Sequence, residues 1–178
     1  MRITEFQNII VAAIHKALPN IKQCEIYDGQ FDGEHGQRVA IHAPAVFVAA
    51  RSTLAISDPG IAGQMDIKLE LSAFIIAQYA NDRIKREGGC MDLAESVALL
   101  IHNNNFNQAF VGEAKVKRMQ SKTNAAVDSA GFAIWSVDWA QSIRIGSNPV
   151  HQFGTLQSVN VSRVPDVGGT AKGAYTPV

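Results

Sequence analysis

Between Met65 and Ile75 the chain alternates strictly. Met65, Ile67, Leu69, Leu71, Ala73 and Ile75 fall on one side of an extended backbone, and Asp66, Lys68, Glu70 and Ser72 on the other. Successive side chains of a strand point to opposite faces, so this spacing predicts a strand over 65–79 with one buried and one wet face. From Ala73 to Tyr79 both faces turn apolar, which predicts cover on both sides at that end. A strand of this length commits the chain to a sheet. The other elements must then bury its apolar face.

The flanking segments supply that cover. In residues 4–18, Phe6, Ile9, Ile10, Ala13, Ile14, Ala17 and Leu18 recur at steps of three and four, the period of an amphipathic helix. Thr4 with Gln7 resembles a capping box, and Pro19 stops the helix. A short strand is expected over 22–28, with Asp28-Gly29 and Asp32-Gly33 as turns and a polar loop to Pro44. Residues 45–50 read as a strand buried on both faces. The Ser57-Asp58-Pro59-Gly60 turn that follows makes it pair antiparallel with the long strand.

The second half continues in the same manner. Asn81 to Gly89 reads as a charged turn, and a helix opens at Asp92 with Glu95 as its capping partner. Leu93, Val97, Leu100 and Ile101 are its expected buried stripe, and Asn103-Asn104-Asn105 ends it. Strands follow over 111–120 and 132–145. The latter turns Ala133, Trp135, Val137, Trp139, Ile143 and Ile145 to one face, against Phe132, Ile134, Ser136 and Asp138. The core is expected to gather Leu69, Leu71, Phe74, Val97, Leu100, Ile101, Trp135 and Val137. After Ser147, Gly, Ser, Thr, Val and Pro dominate, so 147–178 reads as an extended arm without a core of its own. The expected fold is α+β: a mainly antiparallel sheet with helices packed on one face over 1–146, plus the C-terminal arm.

Little in this chain advertises chemistry. Of its two cysteines, Cys24 and Cys90, neither sits in a metal-binding or disulfide pattern, and both read as buried thiols. His35 and His42, near Asp28, Asp32 and Glu34, form the one stretch with metal-ligand chemistry, but without a ligand spacing; an acidic turn is the simpler reading. There is no Gly-x-Ser-x-Gly elbow, and the glycine-rich run from Gly168 to Gly173 neither follows a strand nor opens a helix. No catalytic residue, cofactor or metal is therefore expected. No apolar run approaches the ~18 residues of a membrane span, and the N-terminus has no signal-peptide core.

Charge adds one further constraint. Sixteen Lys+Arg against sixteen Asp+Glu leave the chain neutral, with little repulsion between copies and no basic footprint for a dedicated nucleic-acid binder. Two basic clusters stand out, Arg83, Lys85 and Arg86, and Lys115, Lys117, Arg118 and Lys122; each reads as solvated surface or as a contact with a partner subunit or DNA.

In its element order the chain resembles the Mu-like phage tail terminator, or tail completion, proteins. The resemblance is carried by the opening helix Ile3–Leu18, the strand Cys24–Tyr27, Pro44-Ala45-Val46-Phe47-Val48-Ala49 and Leu69-Glu70-Leu71-Ser72-Ala73-Phe74. The helix Asp92–His102 and Ala133-Ile134-Trp135-Ser136-Val137-Asp138-Trp139 complete it. It covers about residues 3–145 and implies a ring, usually a hexamer, that caps the head-proximal end of a tail. Such a ring stops tube or sheath polymerisation, meets the head–tail connector and lets DNA pass. It is assembled in the bacterial cytoplasm and carried in the virion tail. The competing readings are a head–tail connector or other minor virion protein, and a small enzyme with an unrecognised site.

Overall fold

The computed structural model describes residues 1–27, 41–60, 63–78 and 82–146, and the backbone of 160–161 and 176–177. The elements are α1 (Ile3–Ala17), β1 (Gln23–Ile26), β2 (Ala45–Ser57), β3 (Gln64–Gln78), α2 (Arg83–Ile101), β4 (Lys115–Ser121), α3 (Ala125–Ser129) and β5 (Phe132–Gly146). They form one compact unit, Met1–Ser147; the second unit, Asn148–Val178, contains an antiparallel pairing of β6 (Asn160–Val161) with β7 (Thr176–Pro177). The rest of the expected arm lies outside the described residues.

The sheet runs β1-β2-β3-β5-β4, antiparallel throughout except that β1 pairs parallel with β2. The chain is α+β, as its patterning predicts. β3 sits at the centre, with Leu71 opposite Trp139 on β5 and Ala50 on β2. On its inner face Leu69, Leu71, Ala73 and Ile75 join Phe6, Ile10 and Ile14 of α1, Cys90, Val97 and Ile101 of α2, and Val137 and Trp139 of β5. Both long helices therefore cover the same face. A smaller cluster of Ala43, Ala45, Phe47 and Ile76, flanked by Tyr27, Phe74 and Ile134, occupies the other face at one end of the sheet. That is the two-sided cover expected beyond Ala73.

Phe74 is a correction to the expected core. It is one residue out of phase with Leu69, Leu71 and Ala73, so the pleat sends it to the second cluster. Leu100 and Trp135 are only half-buried at the margin of the main core.

The second helix starts earlier than expected. The Asp82 carboxylate accepts the Lys85 backbone N–H at 3.0 Å, so α2 is capped before Arg83 and not at Asp92. The expected charged turn is its first two turns. Glycine costs ~1 kcal/mol in a helix interior, yet Gly88 and Gly89 are carried inside α2 because Arg86, Cys90, Ala94, Val97, Ala98 and Ile101 all become buried. The first helix is also capped two residues before its expected cap Thr4: the Glu5 carboxylate accepts the Arg2 N–H at 2.8 Å, while Gln7 donates to the Val48 carbonyl at 3.2 Å.

The connection from α2 to β4 replaces the first part of the strand expected over 111–120. Asn103, Phe106, Asn107 and Phe110 all adopt positive φ. The Asn104 side chain accepts the Phe106 N–H, and the Asn105 side chain accepts the Asn107 N–H. Phe106 is thereby turned inward against Phe6, edge to face at 6.0 Å. From β5, Gln141 holds the loop through donors to the Asn104 and Gly112 carbonyls. Before Lys115 the sheet keeps only a bridge from Val111 to Ile143. The short helix α3, capped where Asn124 accepts the Val127 N–H, was not visible in the periodicity.

Candidate assembly interface

The sheet face away from α1 and α2 is polar in its middle: alternation in β3 and β5 places Glu70, Ser72 and Asp138 there, and a bulge in β4 adds Lys117 and Arg118. Val116 pairs with Trp139 and Arg118 with Asp138, which leaves Lys117 as an extra residue. An inserted residue resets the alternation. Val116 and Met119, three apart, both reach the main core, while Lys117 and Arg118 both belong to the outer side.

There the strands are laced together by charge. Arg118 donates to Asp138 at 3.2 and 3.3 Å, and Ser72 donates to the other Asp138 oxygen at 2.7 Å. Glu70 accepts Ser52 Oγ at 3.1 Å and has Lys117 Nζ at 4.0 Å. Cross-strand opposite charges of this kind stabilise a sheet modestly.

Each expected contact residue has a defined place. Lys115 donates to Asn103 and to Glu113, both at 2.7 Å. Lys85 lies 3.5 Å from Asp82, and Arg83 lies 3.7 Å from Asp128. Arg86 is 4% exposed and turned inward, where it pairs with the same Asp128. The structure thus separates two clusters that the sequence makes look alike. The first is a helix start folded against α3; the second runs along the edge strand. Lys122 alone of the seven makes no ion pair among the described residues.

Lys122 borders a groove of about 770 Å³ on this face, with Arg51 across from it and Tyr27, Phe74, Val127 and Ile134 among its apolar walls. Arg51 stacks over the Phe74 ring at 5.9 Å and likewise makes no ion pair among the described residues. The neighbouring carboxylates of Glu70 and Asp138 are already engaged by Lys117 and Arg118. The sequence hid this groove: Arg51 is a single cation after an apolar run, and Tyr27 and Phe74 lie far apart in the chain.

A second exposed feature is the far half of β2. β1 covers β2 only as far as Val48, and Ala50 to Ser57 are exposed. Bulges at Arg51 and Leu54 twist the strand. Leu54 is 45% exposed and Ile56 64%.

The two thiols are inert packing groups. Burial pushes Cys24 up to about 11, helped by the nearby Glu25 charge. Burial also pushes Cys90 up to about 12, and its Sγ rests 3.3 Å from the Ile75 carbonyl. Among the described residues, no three His, Cys, Asp or Glu side chains gather as a metal site. His35 with Asp28, Asp32 and Glu34, and the run from Gly168 to Gly173, lie outside the described residues. Among the described residues, no helix is long and apolar enough to cross a membrane.

No protein-family model matches the chain, and no curated protein matches it. Among solved structures, a chain of the virion of a native gene transfer agent (GTA) particle superposes with a TM-score of 0.48 at 7% identity. The match covers 82% of this chain and 100% of that one. So loose a superposition carries no functional assignment.

Proposed function

We propose that this chain is a structural protein of a phage-type virion, whose copies close into a ring on the head-proximal end of the tail. The ring ends polymerisation of tube or sheath and presents a surface to the head–tail connector. The observation that carries this reading is the exposed apolar edge of β2. Solitary soluble domains protect such edges with charge or proline. Here Ser52-Thr53-Leu54-Ala55-Ile56-Ser57 has neither, only the two bulges, and among the described residues its Leu54 and Ile56 side chains face solvent. An edge of this kind is built to be covered by another chain.

Its charge arrangement fits a passage for DNA. Lys115, Lys117 and Arg118 are exposed but held by carboxylates or amide oxygen, so a lumen lined by them would be only mildly basic. Affinity for DNA should be weak and steeply salt-dependent. Residues 147–178 add to self-association in this reading, so truncation after Gly146 leaves a folded domain that associates less well.

The test is to add the purified protein to polymerising tail tube protein and to measure tube length by electron microscopy. Short, capped tubes with a ring at one end are expected at substoichiometric protein. An unchanged length distribution overturns the terminator reading. Binding to the portal or connector instead would assign the chain to the head side of the joint.

A further inference from the structure

We infer that the outer face of α2 in one copy docks into the groove between Arg51 and Lys122 of the next, joining copies head to tail. This inference rests on the ring reading and names the contact that would close it. Cys90, Ala94, Val97 and Ile101 turn the inner face of α2 to the sheet. On the opposite side of the helix stand Ile84, Met91 and Leu99, spaced at i, i+7 and i+15 and 86%, 45% and 72% exposed. Asp92 and Glu95 lie beside them, exposed, and neither makes an ion pair among the described residues. An exposed apolar stripe on a helix is a recurring recognition element for an apolar groove.

The groove offers the converse. Its walls include Tyr27, Phe74 and Ile134, and its two cations make no ion pair with a carboxylate among the described residues. Two carboxylates on an apolar stripe therefore meet two cations on an apolar floor. Groove on groove would gather four cations, and helix on helix four carboxylates against only the two exposed Lys85 side chains on that face. Such juxtapositions are strongly disfavoured. Phe74 and Ile134 of the groove belong to the sheet face that α2 does not cover, so the two patches are different surfaces of the molecule. A contact between different patches repeats from copy to copy and closes a ring when the rotation allows.

The test uses two variants of the full chain. One carries Asp92→Lys and Glu95→Lys; the other carries Arg51→Glu and Lys122→Glu. Mass is followed by sedimentation against concentration, and folding by circular dichroism. Each variant alone should be folded and should associate at least tenfold more weakly than the wild type. An equimolar mixture should recover the wild-type oligomer, because each altered face finds its complement on the other variant. If the wild type forms rings and both variants associate equally well, this contact is wrong and the ring reading stands. If both variants lose association but the mixture does not recover it, the charge pairing is wrong. If the wild type stays monomeric both alone and on tail tube, the ring reading falls and this contact with it.

Discussion

Arg86 in the second turn of α2 forms an ion pair with Asp128 of α3, and it is the one cation of the described unit that is 4% exposed. The pair fixes a helix that periodicity does not reveal to the start of one that periodicity places too late. Breaking a buried pair from one side costs more than replacing it with an apolar group, because the charge left behind has lost its solvent and the carboxylate that balanced it. Asp128→Ala should therefore cost about 3 kcal/mol in urea unfolding. Arg86→Met leaves behind the more exposed carboxylate, with Arg83 still 3.7 Å away, and should cost clearly less. Equal costs would show that the guanidinium is not held by Asp128.

The parts of the fold legible in the sequence are those where one physical signal acts alone. The two-residue period of β3 and β5 had no competitor, and both strands appear within a residue of their expected bounds, with the inward residues as expected except Met65, which is 40% exposed at the start of β3, and Trp135, which is half-buried. The start of α2 was obscured because Asp92 is a plausible cap and Gly88-Gly89 a plausible turn. What decides between them is burial of Cys90 and Arg86, which only the tertiary fold supplies. The β4 bulge has no local signal either: Val116 and Met119 are out of phase until an extra residue stands between them. The groove joins residues from α1, β1, β2, β3, β5 and the β4–β5 connection, so no stretch of sequence carries it.

Gly88 should tolerate a side chain. A Cβ placed there meets nothing within 4 Å, and its φ is not positive. With no close approach to preserve, glycine contributes only backbone freedom that folding must freeze. Gly88→Ala should raise stability by about 0.5–1 kcal/mol, read as a higher urea midpoint at unchanged slope. A loss of stability would show that α2 does not run continuously from Arg83.

Gly146 is the opposite case. It ends β5 at φ +91°, and a Cβ there would collide with the Gly63 carbonyl oxygen, a backbone atom that cannot swing aside. Its N–H also bonds the Met1 carbonyl at 3.3 Å, so the site anchors the start of the chain. Gly146→Ala should cost more than about 1 kcal/mol, since the left-handed backbone alone accounts for that much. Amide exchange should accelerate at the far ends of β3 and β5. A neutral outcome would mean that this end of the sheet is free to shift.

The last prediction concerns acid. Arg144 donates to both oxygens of Asp66, at 2.6 and 2.8 Å, directly across the β3–β5 ladder. These hydrogen bonds hold the Asp66 carboxyl below the usual aspartate range against the opposing effect of burial, with the guanidinium charge adding a lesser pull. The folded protein therefore binds the proton less readily than the unfolded chain, whose aspartates titrate near about 3.9. The stability from the pair is complete above that value and is lost as pH falls through the lower value in the folded state. Asp66→Asn removes the titration. Wild type should be the more stable of the two at pH 7, and the gap between their urea midpoints should shrink steadily below about pH 4. A gap that stays constant down to pH 2 would show that Asp66 contributes through its shape in the ladder and not through its charge.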